Sequence, residues 1–182
     1  MSEFEMFPKI SRLSRDCVVT EKIDGTNAQI CISETYEVQV GSRNRWITET
    51  TDNYGFHRWV MENKDALIAE LGIGRHYGEW WGSGIQRGYG LEKGIKRFSL
   101  FNTSRWKDVP LVCCSVVPIL WEGRFNMVVI DDCINSLRRG GSMAAPGFMN
   151  PEGVVIFHKA SGTMFKKTLE NDSEPKGVSR AH

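Results

Sequence analysis

The sequence has no run approaching the ~20 consecutive apolar residues that a membrane-spanning helix needs. Its opening, MSEFEMFPKISR, is acidic where a secretory leader would be basic and then apolar. These absences predict a cytoplasmic protein. No C-x-x-C pair occurs among Cys17, Cys31, Cys113, Cys114 and Cys133, and the count of 5 is odd, which argues against a disulfide framework and a zinc site. The 4 histidines, His57, His76, His158 and His182, show no metal-ligand spacing. Gly72-Ile-Gly74 and Gly82-Ser-Gly84 begin as phosphate loops begin, but neither completes G-x-G-x-x-G or a P-loop. No G-x-S-x-G nucleophile elbow is present. An excess of one charge is missing as well: 23 Lys and Arg face 22 Asp and Glu, a net of +1. The whole molecule therefore announces no anionic partner.

What remains is an ordinary globular composition, 41% hydrophobic and 25% charged over 182 residues, long enough for a real core. No repeat or linker divides it, so 1–182 reads as a single domain with a loosely ordered polar tail over 169–182. Adjacent Cys113 and Cys114 sit in the apolar run LVCCSVVPIL, where cysteine acts as a small buried hydrophobe. The charge distribution is more telling than its sum. From Arg75 to Lys107, 7 basic residues oppose only Glu79 and Glu92, interleaved with Tyr77, Trp80, Trp81, Tyr89, Phe98, Phe101 and Trp106. That mixture suits either a nucleic-acid surface or a solvated basic face over core aromatics. Trp80 and Trp81, adjacent on a strand, should face opposite sides, one to the core and the other towards a ligand or RNA.

Most of the chain has strand periodicity. Cys17–Thr20 is a short strand, and Ala28, Ile30 and Ile32 alternate with polar residues before turning at Glu34-Thr35 into Tyr36–Val40, a hairpin. Between Thr51 and Leu71 the period becomes helical, with Phe56, Trp59, Val60, Leu67, Ile68 and Leu71 on one face. Thr51 or Asp52 serves as N-cap and Gly72 as the stop. Strands follow over 75–81, 97–102, 111–120, 154–158 and 164–168, with a further helix over 127–137. The class is α+β with mainly antiparallel sheets.

The chemistry gathers first at Thr20-Glu-Lys-Ile-Asp-Gly-Thr-Asn27. Lys22 and Asp24 point to the same side of an extended chain, and Gly25 lets the backbone approach a ligand closely. A lysine held in such a cleft can act as a nucleophile, although a surface lysine before a β-turn reads the same way. An ordered set follows: Gly41-Ser-Arg-Asn-Arg45, Tyr77-Gly-Glu-Trp-Trp-Gly82, Phe98-Ser-Leu-Phe-Asn102, Pro151-Glu-Gly-Val-Val-Ile156 and Met164-Phe-Lys-Lys-Thr168.

Taken in order, these elements resemble the motifs of the covalent nucleotidyltransferase superfamily of ATP-dependent ligases and mRNA-capping enzymes, most of all its RNA-ligase branch. The resemblance runs from Lys22 to Thr168. It implies an antiparallel-sheet nucleotidyltransferase fold with the nucleotide in a cleft between sheets. It also implies that Lys22 attacks the α-phosphate of ATP to give lysyl-AMP, that AMP passes to a 5′-phosphate RNA end, and that a 3′-hydroxyl then seals the strand. By the same resemblance Glu21 accepts from the adenine amino group or is a plain strand residue, and Arg43 holds ribose or a phosphate of the incoming end. Glu79 takes a ribose hydroxyl or a metal-bound water, and Phe101, or alternatively Phe98, stacks on adenine. Lys166 contacts the α-phosphate. Mg2+ or Mn2+ would be held by Glu152, Glu79 and Asp24 through water, with Asp24 alternatively orienting the lysine.

Two features depart from that pattern. The last motif usually reads K-x-K, whereas here Thr168 stands two after Lys166, and Lys167 falls on the other strand face. Only 16 residues follow Lys166, too few for the C-terminal domain most such ligases carry, so a partner protein supplying one is an expectation. The competing readings are transfer of AMP without sealing, sealing of nicked duplex or DNA, a capping-type enzyme preferring GTP, and a non-catalytic nucleotide- or RNA-binding module.

Overall fold

The computed structural model describes residues 3–173; residues 174–182, most of the predicted loose tail and His182 with it, lie outside the described residues. The apolar alternation in the sequence resolves into two sheets. The first has 4 strands in the order β10-β9-β1-β8, all antiparallel: β1 (Asp16–Lys22), β8 (Ile119–Arg124), β9 (Gly153–His158) and β10 (Thr163–Thr168). The second has 6 strands in the order β4-β3-β2-β5-β6-β7. Its members are β2 (Thr26–Ile32), β3 (Val38–Ser42), β4 (Trp46–Ile47), β5 (Gly74–Gly82), β6 (Lys96–Leu100) and β7 (Ser115–Val116), with β6–β7 its parallel pair. The predicted hairpin is β2–β3. Among the described residues no helix is long and apolar enough to cross a membrane.

Each sheet buries one face against helices. Cys17, Val19, Val154 and Ile156 pack on α4 (Met127–Gly140) through Ile130, Cys133, Ile134 and Leu137, the spacing of one helical face. Asn126 caps α4, its Oδ1 accepting from the Val128 N–H at 2.9 Å. The second sheet buries Ile30, Val40, Trp80, Phe98 and Leu100 under α1 (Phe56–Glu62) and α2 (Lys64–Leu71), through Phe56, Val60, Leu67 and Leu71, and the one-turn α3 (Thr103–Trp106) adds Trp106 to the same core. A smaller cluster of Ile23, Trp81, Tyr89, Val117 and Ala145 fills the junction between the sheets.

Three expectations are corrected. The helix over 51–71 is two helices meeting at Asn63, although Gly72 does end the second. Asp52 works at its start by a different route, its carboxylate accepting the His57 and Arg58 N–H groups at 2.8 and 3.2 Å. Both Trp80 and Trp81 are buried, so neither ring is offered to a ligand: a third core lies where the sequence suggested an open face. The strand over 111–120 does not form as one piece; only β7 and the start of β8 are extended. The reason is Glu70 on α2, whose carboxylate accepts the N–H groups of Val112, Cys113 and Cys114 at 2.5, 2.8 and 2.9 Å. Consecutive N–H groups converging on one anion curl the backbone and cannot also serve a ladder. Burial and then the Glu70 charge push both neighbouring thiols up, as inert structural cysteines require.

Replacing Glu70 with Ala should leave three N–H groups without their acceptor and lower stability by about 1–3 kcal/mol. A reduced urea midpoint, with faster amide exchange confined to Val112–Cys114, checks this.

Candidate active site

The site is built where β1 leaves the first sheet. Cys17 and Val19 face α4, so alternation turns Thr20 and Lys22 to the opposite face. Lys22 pairs in register with Gly153, the first residue of β9. A Cβ at Gly153 would lie 2.2 Å from the Lys167 carbonyl oxygen, and its φ of +155° lies at the edge of the range that side chains rarely adopt. Glycine is therefore required there, and it sets Glu152 beside Lys22. The buried Glu152 Oε2 accepts from Lys22 Nζ at 2.6 Å.

Beyond Lys22 the chain crosses to the second sheet through Asp24-Gly25. A Cβ on Gly25 would sit 2.4 Å from the Trp80 carbonyl oxygen and 2.7 Å from Trp81 Cβ, so only glycine permits the approach. The Gly25 N–H then donates to Glu79 Oε1 at 3.0 Å, and Asn27 Nδ2 donates to Glu79 Oε2 at 2.8 Å. A carboxylate from β5 is thereby fixed next to the lysine from β1. Burial pushes the Glu79 carboxyl up to about 7 against the opposing pull of Asn27, Gly25 and Lys22, and the nearby Glu152 charge adds to the rise.

Asp24 is occupied differently from expectation. Its Oδ2 accepts from Arg87 Nε at 3.0 Å, and Arg87 Nη1 donates to the Asn150 carbonyl and Oδ1 at 3.1 and 2.7 Å. The Asp24 N–H donates to the Tyr89 hydroxyl at 2.7 Å. Burial first, and then the surrounding carboxylates, raise the Tyr89 phenol, which stays neutral. Asp24 thus braces the turn against Arg87, while Glu79 and Glu152 remain beside Lys22. Among the described residues no three acidic, His or Cys side chains converge as direct metal ligands. Two buried carboxylates suit a hydrated divalent cation better than a protein cage.

Glu21 points the other way along β1. Its carboxylate accepts from Ser142 Oγ at 2.6 Å and from the Met143 and Ala144 N–H groups at 2.8 and 2.9 Å. It anchors the segment after α4, and three donors already hold the oxygens that were expected to meet adenine. Arg43 is exposed just past β3, where the Ala28–Ser42 register sets it opposite Asn27, one strand from Glu79. Of the two candidate rings, Phe98 is 1% exposed and packs on Phe56, whereas Phe101 is 40% exposed. Lys166 is exposed on β10, its side chain without hydrogen bond or ion pair among the described residues, on the sheet face opposite α4. Lys167 points to α4 and pairs with Asp131. Sequence reasoning missed Arg87, Tyr89, Asn27 and Ser142 as site supports. The first two lay within the basic-aromatic stretch, but nothing local marked them.

The raised Glu79 carboxyl has a direct consequence for the protein without nucleotide or metal. Its stabilising contribution is complete below the unfolded value of 4.5 and is lost as pH rises through about 7, because the unfolded chain ionises first. Relative to Glu79→Gln, the wild type should lose up to about 3 kcal/mol across that window. Urea midpoints of the two proteins at a series of pH values read the difference.

A model of the RNA ligase family matches residues 15–168. No curated protein sequence matches the chain. Solved structures of the Naegleria gruberi RNA ligase are similar in fold. A variant with ATP and Mn gives a TM-score of 0.63 at 21% identity over 89% of this chain and 52% of that one. A variant with AMP and Mn gives 0.60 at 21% identity over 86% and 50%. The ligase with PPi gives 0.59 at 22% identity over 85% and 50%. The chain spans about half the length of these structures. At such identity the likeness speaks for the fold alone, and it agrees with the antiparallel nucleotidyltransferase architecture. With the matched family span running from before Lys22 to Thr168, the chain belongs to the RNA ligase family.

Proposed function

We propose that the chain is an ATP-dependent RNA ligase-type adenylyltransferase that carries AMP on Lys22, delivers it to a 5′-phosphate RNA end and seals that end to a 3′-hydroxyl. The observation that carries this reading is the junction itself, a lysine paired with Glu152 at 2.6 Å while Glu79 from the other sheet is held beside both. Solved Naegleria gruberi RNA ligase structures with ATP and Mn, AMP and Mn, or PPi support the same donor, transferred group and leaving group here.

In the first step Lys22 Nζ bonds the α-phosphorus as the bond from that phosphorus to its bridging oxygen breaks. Pyrophosphate leaves with the electron pair, and Glu152 Oε2 is within reach of the proton that Nζ releases. Lys166, the exposed cation on the same sheet face, is suited to meet charge growing on the α-phosphate. Phe101 offers an open ring to adenine, and Arg43 offers a two-pronged donor to ribose or phosphate. Glu79 and Glu152 would hold Mg2+ or Mn2+ through water, and the ion supplies neutralisation of the triphosphate. Next, a 5′-phosphate oxygen of RNA attacks the same phosphorus and the N–P bond breaks, freeing Lys22. The 3′-hydroxyl then displaces AMP from the activated end.

The test is labelling with α-³²P ATP and Mg2+ or Mn2+, followed by a denaturing gel. The wild type should retain label and Lys22→Ala should retain none; an unlabelled wild type across metals and pH would sink the reading. Lys166→Ala should lower the labelling rate by about 100-fold, the loss typical of one preorganised charge donor. Glu21→Gln, by contrast, should act mainly on stability, read as a lower melting temperature. A labelled protein that releases AMP-capped RNA without joining it would establish transfer without sealing.

A further inference from the structure

Within the basic-aromatic stretch most rings are buried, but Tyr77 is 51% exposed. Strand register gives it company. Trp46 pairs with Gly41, Gly41 with Gln29 and Gln29 with Tyr77, and the Phe101 N–H donates to the Tyr77 carbonyl. Residues opposite one another across adjacent strands share a face. Their neighbours Ile47, Val40, Ile30 and Leu100 fill the helix-covered face, so this row stands on the open one. Trp46 is 43% exposed there. Arg75, two residues before Tyr77, lies with its guanidinium carbon 5.4 Å from the Trp46 ring centroid.

Three more observations say what covers the row. Arg75 and Arg43 make no ion pair among the described residues, so this face offers unneutralised positive charge. Gln29 Oε1, in the middle of the row, is a buried acceptor without a hydrogen-bond partner among the described residues. Glu79 is two residues from Tyr77 on the same strand face, about 7 Å away, so the row runs directly into the Lys22 junction.

We propose that Trp46, Arg75 and Tyr77 form a docking platform for the single-stranded RNA adjoining the 5′-phosphate end. Bases stack on the two rings, and Arg75 takes a backbone phosphate while keeping its cation over the indole. The platform rests on the ligase reading for its orientation, with the strand led past Arg43 to Lys22. Stacking of this kind tolerates any base, which fits an enzyme that joins ends by their phosphate chemistry.

The experiment measures binding of a short 5′-phosphorylated oligoribonucleotide by fluorescence anisotropy without ATP, at several salt concentrations. Trp46→Ala and Tyr77→Ala should each weaken binding about 10-fold, with Trp46→Phe close to wild type. Arg75→Ala should lower the slope of log affinity against log salt by about one. An oligonucleotide with abasic sites should lose affinity for the wild type but little further for Trp46→Ala. Melting temperatures of all variants verify that the sheet is intact. Unchanged affinity in Trp46→Ala/Arg75→Ala, or no RNA binding by the wild type, would overturn the platform. Label on Lys22 together with either result leaves the ligase reading standing alone; loss of RNA affinity in the variants without any Lys22 label leaves the platform and removes the ligase reading.

Discussion

Two sheets with separate helical cores are joined into one site by the passage of Gly25 against the Trp80 carbonyl and Trp81 Cβ. A methyl group there would push the strands apart. The Gly25 N–H would lose Glu79, and the lysine of one sheet would no longer share a space with the carboxylate of the other. The small apolar cluster of Ile23, Trp81 and Tyr89 beneath the crossing has the same dependence, since Trp81 can fill it only while the main chain lies flat above. The geometry around Lys22 and the packing that joins the sheets therefore rest on one contact.

Carboxylates do most of the remaining work, and their surroundings decide what each does. Glu70 and Glu21 each collect hydrogen bonds from successive residues of a neighbouring segment, and each fixes the course of a stretch without regular structure. Asp24 is held by a guanidinium and shapes a turn. Glu152 meets an ammonium group, and Glu79 receives only neutral donors, which leaves burial to dominate its ionisation. The same chemical group becomes an anchor, a brace or a lysine's partner according to whether backbone, arginine or ammonium faces it.

The strand alternation of the sequence was enough to read α+β architecture, the β2–β3 hairpin, the helix after Asn126 and the opposite faces of Lys166 and Lys167. Periodicity works there because each element has one buried face. Lys22, Glu79 and Glu152 were legible only through their ordered motif contexts, and the structure brings those three together. Asp24 with Arg87, Glu21 with Ser142, and Glu70 with Val112–Cys114 were not legible. Each joins residues more than 40 positions apart, and a bond from a side chain to a distant part of the chain leaves no trace in local periodicity. The burial of both tryptophans escaped for a related reason: alternation tells which side a residue faces, not whether a third core waits on that side.

The exposed pair between Lys167 and Asp131 contributes little to stability as an ion pair. It marks the phase of the strand without setting it. Neighbouring lysines on a strand face opposite ways, and sliding β10 by one residue against β9 would send Lys166 to the helix and Lys167 to the open side, with a cation still available on each face. Electrostatics alone would barely distinguish the two arrangements. Asp131 accepts whichever lysine faces α4, so the choice falls to the register itself, in which Gly153 passes directly against the Lys167 carbonyl and leaves Lys166 on the open face.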